Sequence, residues 1–221
     1  MDSSLLIRAC AARAQIAAGA LRGAALVELL HAIPVLDRDA WVDVALGIEE
    51  PPEDEPDLPR GAVPYLPCGV EEILAMVLEA PLGVGDELVD LGAGLGRVAI
   101  LAHLLSGACA RGVEIQGSLV RRARALCTNL GLTDVTMAHA DAAETALDGT
   151  VFFLYAPFNG PMLIRVLERI EEVARRRAIV VCAVGLELRE VPWLVPRATS
   201  SVSLMLYDSC VPGEDAGTDH G

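Results

Sequence analysis

Asp90 ends an apolar run, and Gly92, Gly94 and Gly96 follow it as G-x-G-x-G within "ELVDLGAGLGRVAI" (87–100). Glycines at that spacing let the backbone take positive φ and keep every Cβ out of a ligand's way. An apolar pattern at helical spacing follows at once, so the free N–H groups and positive end of a helix face the same point. Such a combination suits a nucleotide-like ligand. Glu114 closes the next apolar run, where a carboxylate can accept two hydrogen bonds from a ribose diol. Asp141, in "HADAAE", follows the third run. Taken singly, Asp90 and Asp141 also read as helix N-caps and Glu114 as a turn residue. Three acids at three successive strand ends speak for one shared ligand. The dinucleotide fingerprint G-x-G-x-x-G would need glycine where Arg97 stands, so the pyrophosphate cradle is incomplete.

These residues need elements to position them. The stretch 70–80 reads as an amphipathic helix ended by Pro81, 86–91 as a strand, and "GRVAILAHLLSG" as a helix. Strand 108–115 leads into a helix closed by Gly131, and strand 134–140 into a short helical piece. "VFFLYAPF" (151–158) precedes a helix that starts with Pro161. Strand 177–184 and a late strand, 201–209, complete the series. Uniformly apolar strands alternating with helices predict a doubly wound α/β domain, with a mostly parallel sheet covered on both faces. Its ligand is expected at the C-terminal ends of the strands. This domain spans 61–210. Ahead of it, 1–47 is a helical N-terminal segment, and 48–60 ("IEEPPEDEPDLPR") is an acidic, Pro-rich, solvated linker. Residues 211–221 read as a flexible acidic tail.

The glycine loop resembles motif I of the class I S-adenosylmethionine-dependent methyltransferases, D/E-h-G-x-G-x-G. The resemblance implies a Rossmann-like fold and S-adenosyl-L-methionine as cofactor, bound by Asp90 and the loop Gly92, Gly94 and Gly96. It gives Glu114 the ribose hydroxyls and Asp141 the adenine amino group. "YAPF" takes the place of the D/N/S-P-P-Y/F turn of amino-methyltransferases. There a polar side chain and the next carbonyl accept N–H bonds, while the aromatic packs on the substrate. Tyr155 stands at the polar position, Ala156 at the first proline, and Pro157 and Phe158 match, so Tyr155 and Phe158 are the candidate catalytic contacts.

More narrowly, "VPYLPCGVEEIL" (63–74) is similar to a P-Y-x-P-T/S segment of protein lysine methyltransferases related to the ATP synthase c-subunit methyltransferase. Trp193 and the final Tyr207-Asp208 also fit that group. Cys68 departs from it by replacing the hydroxyl residue. By this resemblance Tyr65 folds over the methionine end of the cofactor. The implied reaction is in-line methyl transfer to a nucleophile, an amine such as a protein lysine or a small molecule. A non-catalytic cofactor-binding module acting through a protein partner is the competing reading.

Composition narrows the partners. The formal net charge is −14, and the positive charge is all arginine. An acidic protein repels phosphate backbones, which disfavours a nucleic-acid partner. No apolar run reaches the roughly 18 residues of a membrane span. The six cysteines are scattered without metal spacing, which points to reduced thiols in a cytoplasmic protein and no zinc site. A chain without lysine lacks the Tyr-Lys proton relay common in nicotinamide-dependent oxidoreductases. Among other polar residues, Arg97 reads as a surface pair and His103 as structural. His139, two residues before Asp141, is the one histidine placed to act as a base.

Overall fold

The computed structural model describes residues 1–80 and 82–210. Pro81 and the acidic tail 211–221 lie outside the described residues, and with them the expectations for a helix stop and a flexible end. Seven strands form one sheet in the order β3-β2-β1-β4-β5-β7-β6. They are β1 (Glu87–Leu91), β2 (Cys109–Glu114), β3 (Val135–His139), β4 (Val151–Tyr155), β5 (Val180–Val184), β6 (Leu194–Arg197) and β7 (Leu204–Ser209). β1 to β5 run parallel, and β7 is antiparallel to both β5 and β6. The order reverses between β1 and β4, which opens a crevice at their C-terminal ends.

Alternation along the strands builds two cores. Leu88, Phe153 and Cys182 face one side of the sheet. Val89, Phe152 and Val181 face the other. The first side is covered by α4 (Val70–Glu79), α5 (Arg97–Ser106) and α6 (Gly117–Asn129), and the second by α7 (Gly160–Ala174). A ten-residue helix such as α4 is marginal alone in water. Its Ile73 and Met76 are fully buried, and each contributes roughly 1.5–3 kcal/mol by leaving water. Three further helices, α1 (Ser3–Ala17), α2 (Gly23–His31) and α3 (Val35–Leu46), extend the first core with Ile16, Leu30 and Trp41.

Arg97 is no surface residue. It is 5% exposed and ties α5 to α3 through Asp39 (3.1 Å) and Asp43, while donating to the Cys68 carbonyl at 2.8 Å. The helical pattern of α5 hid this, because α3 supplies both acids from far away in sequence. Two elements differ from the sequence reading. The piece after β3 is a single turn, in which Glu144 N and Thr145 N both donate to the Asp141 carbonyl. β6 escaped notice because it is a four-residue edge strand containing Pro196, with two exposed positions. Proline lacks the donor that a central strand requires.

Candidate functional site

The three loop glycines take φ of +80°, +54° and +78° at Gly92, Gly94 and Gly96. Two of them are also fixed by close approach. A Cβ on Gly94 would lie 2.1 Å from the Tyr65 ring, and one on Gly92 would lie 2.5 Å from Pro157. The loop is bare because two other segments rest on it: the chain before α4, and the turn after β4.

Glu114, at the end of β2, faces the crevice. Its Oε2 accepts from Gly94 N and its Oε1 from Gln116 N, both at 2.8 Å. These bonds fix the carboxylate and leave further lone-pair directions open. Burial pushes its pKa up, against the pull of those backbone donors. Asp90 is 2% exposed, and its Oδ2 has no partner. Desolvation, reinforced by the charge on Glu114, raises its pKa to about 7. A buried carboxylate oxygen left unpaired is costly, and such groups collect at functional sites.

The acidic segment before the domain is mostly exposed, as its composition demands, yet it is not free. Asp54 Oδ1 accepts from Gln116 Nε2 at 2.7 Å and from Tyr65 N at 3.0 Å. Glu55 N donates to Gln116 Oε1 at 2.9 Å, and Glu55 Oε1 accepts from Ser118 N at 3.0 Å, at the start of α6. Further along, Val63 N donates to the Pro157 carbonyl and Asn159 N to the Gly61 carbonyl, at 3.1 and 2.9 Å. Residues 54–65 therefore form a strap from α6 to the β4 turn. Burial drives the Tyr65 phenol up to about 12.

Beneath the strap lies one cavity of about 270 Å³. Glu114, Ile115, Ala140 and Ala142 line one end, and Tyr155, Ala156, Pro157, Phe158 and Gly185 the other. Gly92, after β1, stands between these ends in the strand order, and Tyr65 shares the wall. Among the described residues no basic side chain lines it. At the β4 turn Ala156 takes φ +39°, a strained value for a residue with a Cβ. Proline, held near −65°, could not stand there. The turn thus differs from a P-P turn in backbone as well as in letters. The phenol of Tyr155 is raised by burial first, then by the nearby Cys68, Glu72 and Asp39.

Tyr65, Gly92, Glu114, Tyr155 and Phe158 line the cavity, whereas Asp90, Gly94, Gly96 and Asp141 do not. Gly94 and Asp90 act beside the wall, the first through its bond to Glu114. Asp141 Oδ1 accepts from Ala143 N at 2.8 Å, closing the turn that presents Ala140 and Ala142. His139 is exposed, with its Nε2 2.9 Å from the Ile115 carbonyl, and is absent from the cavity wall. His103 pairs with the Ala108 carbonyl and Arg22, away from the site. Sequence reasoning missed Gln116, Asp54 and Glu55. A glutamine between strand and helix reads as an ordinary cap, and the acids read as solvation.

Among the described residues no His, Cys, Asp or Glu cluster is arranged to hold a metal ion, and no helix is long and apolar enough to cross a membrane. The sequence matches no protein-family model and no curated protein. Solved structures do resemble it. An RNA methyltransferase from Salinibacter ruber, in complex with S-adenosyl-L-homocysteine, is 24% identical with a TM-score of 0.54, over 67% of this chain and 95% of that one. A proposed RNA methyltransferase from Pyrococcus horikoshii is 16% identical with a TM-score of 0.54, over 80% and 98%. An S-adenosylmethionine-dependent O-methyltransferase from Thermotoga maritima is 15% identical with a TM-score of 0.52, over 67% and 68%. The chain has the Rossmann-like fold of the class I methyltransferases.

Proposed function

We propose that this chain is an S-adenosyl-L-methionine-dependent methyltransferase acting on a neutral or cationic acceptor, an amine such as a protein lysine or a small molecule, whose nucleophile attacks after losing its proton. One observation carries the reading: a single cavity joins the backbone-anchored carboxylate of Glu114 to the Tyr155–Phe158 turn. The residues suit the cofactor. Glu114 keeps open lone pairs for a ribose diol, and Asp90 Oδ2 is buried without a partner. When bound, S-adenosyl-L-methionine supplies an electrophilic sulfonium methyl group.

The chain's own work is then alignment and exclusion of water. Glu114 and the loop orient, and the strap covers. Tyr155, whose phenol is held protonated at neutral pH, offers an oxygen to an acceptor N–H. Phe158, 7% exposed, gives the acceptor an apolar wall. Glu72 and Asp39 near Tyr155, and the absence of a basic lining residue, favour a neutral or cationic acceptor over a polyphosphate chain. Two of the similar structures carry RNA methyltransferase descriptions, so RNA is the comparison to make.

The test is transfer of labelled methyl from S-adenosyl-L-methionine to lysine-rich peptides, small amines and RNA. Label is expected in an amine, with loss of at least about tenfold in Tyr155→Ala or Phe158→Ala, a positioned contact being worth a kcal/mol or more. Label in RNA alone, or rates unchanged in both variants, would contradict this acceptor assignment.

A further inference from the structure

Residues 54–65 form a loop whose neck is closed by the bond from Tyr65 N to Asp54 Oδ1, at 3.0 Å. Surface loops closed in this way are compact and frequently functional. Its middle is paired with the β4 turn through Gly61 and Val63. Its neck is held by the amide of Gln116, which donates to Asp54 at 2.7 Å and accepts from Glu55 N at 2.9 Å, beside the bond from Ser118 N to Glu55 Oε1 at 3.0 Å. Gln116 is 3% exposed while Asp54 and Glu55 are exposed, so both Gln116 bonds run from a buried side chain out to the surface loop. The same residue's backbone N holds Glu114 Oε1.

The remaining contacts complete a circuit. Tyr65, at the other side of the neck, lies on Gly94, and Gly94 N holds Glu114 Oε2. Glu114 therefore stands between two backbone donors, each linked to the neck, one through Gln116 and one through the Tyr65 ring. On the reading that Glu114 receives a cofactor ribose, we propose that Gln116 is a positioning residue. It latches the neck of the 54–65 strap over the ribose end of the cavity, with the Gly61–Val63 pairing as the hinge. Cofactor entry and release then require the Gln116 amide to let go, and the strap closes the wet side of the cavity while it holds.

Gln116→Met tests this, because it keeps length and burial while removing both bonds. Asp54→Ala cuts the same latch from outside the cavity wall. In ligand-free protein, amide hydrogen exchange at Glu55 and Tyr65 is expected to speed up roughly tenfold or more in both variants, two lost hydrogen bonds being involved. Exchange at Val63 and Asn159, in the hinge, is expected to stay unchanged. Release of S-adenosyl-L-homocysteine, followed by stopped flow, is expected to accelerate by a similar factor in both variants. Unchanged exchange at Glu55 and Tyr65 would overturn the latch. Faster exchange with unchanged release would overturn its gating role. Failure of the wild-type protein to bind S-adenosyl-L-homocysteine would instead remove the cofactor reading, and the gating role with it, while the ligand-free exchange still decided the latch.

Discussion

At the scale of single residues, the cavity end of the sheet concentrates acid where water is excluded. Asp90 and Glu114 sit on neighbouring parallel strands, and each is pushed toward its protonated form, Asp90 to about 7. The folded state therefore keeps a proton that the unfolded chain has already lost at pH 5 or 6. Stability contributed by protonated Asp90 is complete below about pH 4 and falls as pH rises through about 7. Between pH 5 and pH 8, Asp90→Asn should flatten that dependence by up to about 3 kcal/mol, roughly two pH units of differential protonation. Urea midpoints of both proteins at pH 5 and pH 8 measure it. Equal losses between the two pH values would mean that Asp90 is ionised in the folded protein. The three acids were legible because each stands at or just past the end of an apolar run. Their partners were not. Gln116 gains meaning only when residues 54 and 55 come back over α6, a contact no local pattern encodes.

At the scale of elements, the β4 turn departs most from the pattern its letters suggest. Ala156 at φ +39° lies between Tyr155 and Pro157, and Pro157 packs on Gly92. Strain of this kind costs on the order of 1–3 kcal/mol and persists only where its surroundings enforce it. Ala156→Gly should leave stability within about 1 kcal/mol, relief of strain offsetting the added freedom of the unfolded chain. Ala156→Pro, which would restore the amino-methyltransferase letters, should destabilise by about 2 kcal/mol or more, because its ring forbids that φ. Thermal unfolding of the two variants separates these outcomes, and a stabilised Ala156→Pro would refute the turn conformation. Strand and helix alternation from residue 86 onward could be read because β4 and β5 are apolar on both faces and helical patterns separate the strands. The edge strand β6, half exposed and carrying Pro196, offered no such signal.

At the scale of the whole molecule, the fold brings distant segments onto one crevice. α3 braces α5 through Arg97, the strap crosses from α6 to the β4 turn, and the glycine loop lies under Tyr65 and Pro157. The strap was hidden because its sequence is one of low hydrophobicity and high charge, which by itself predicts solvation. It stays ordered through hydrogen bonds to Gln116, Ser118 and the β4 turn, with apolar burial playing little part. The central claim is that this crevice binds S-adenosyl-L-methionine through Glu114. Calorimetric titration of the folded protein with S-adenosyl-L-homocysteine, beside Glu114→Ala and with NAD as control, tests it most directly. Saturable binding of the sulfur ligand alone is expected, weakened at least about tenfold in Glu114→Ala by loss of charge-assisted bonds to the ribose. No heat with S-adenosyl-L-homocysteine, or equal affinity in the variant, would contradict it.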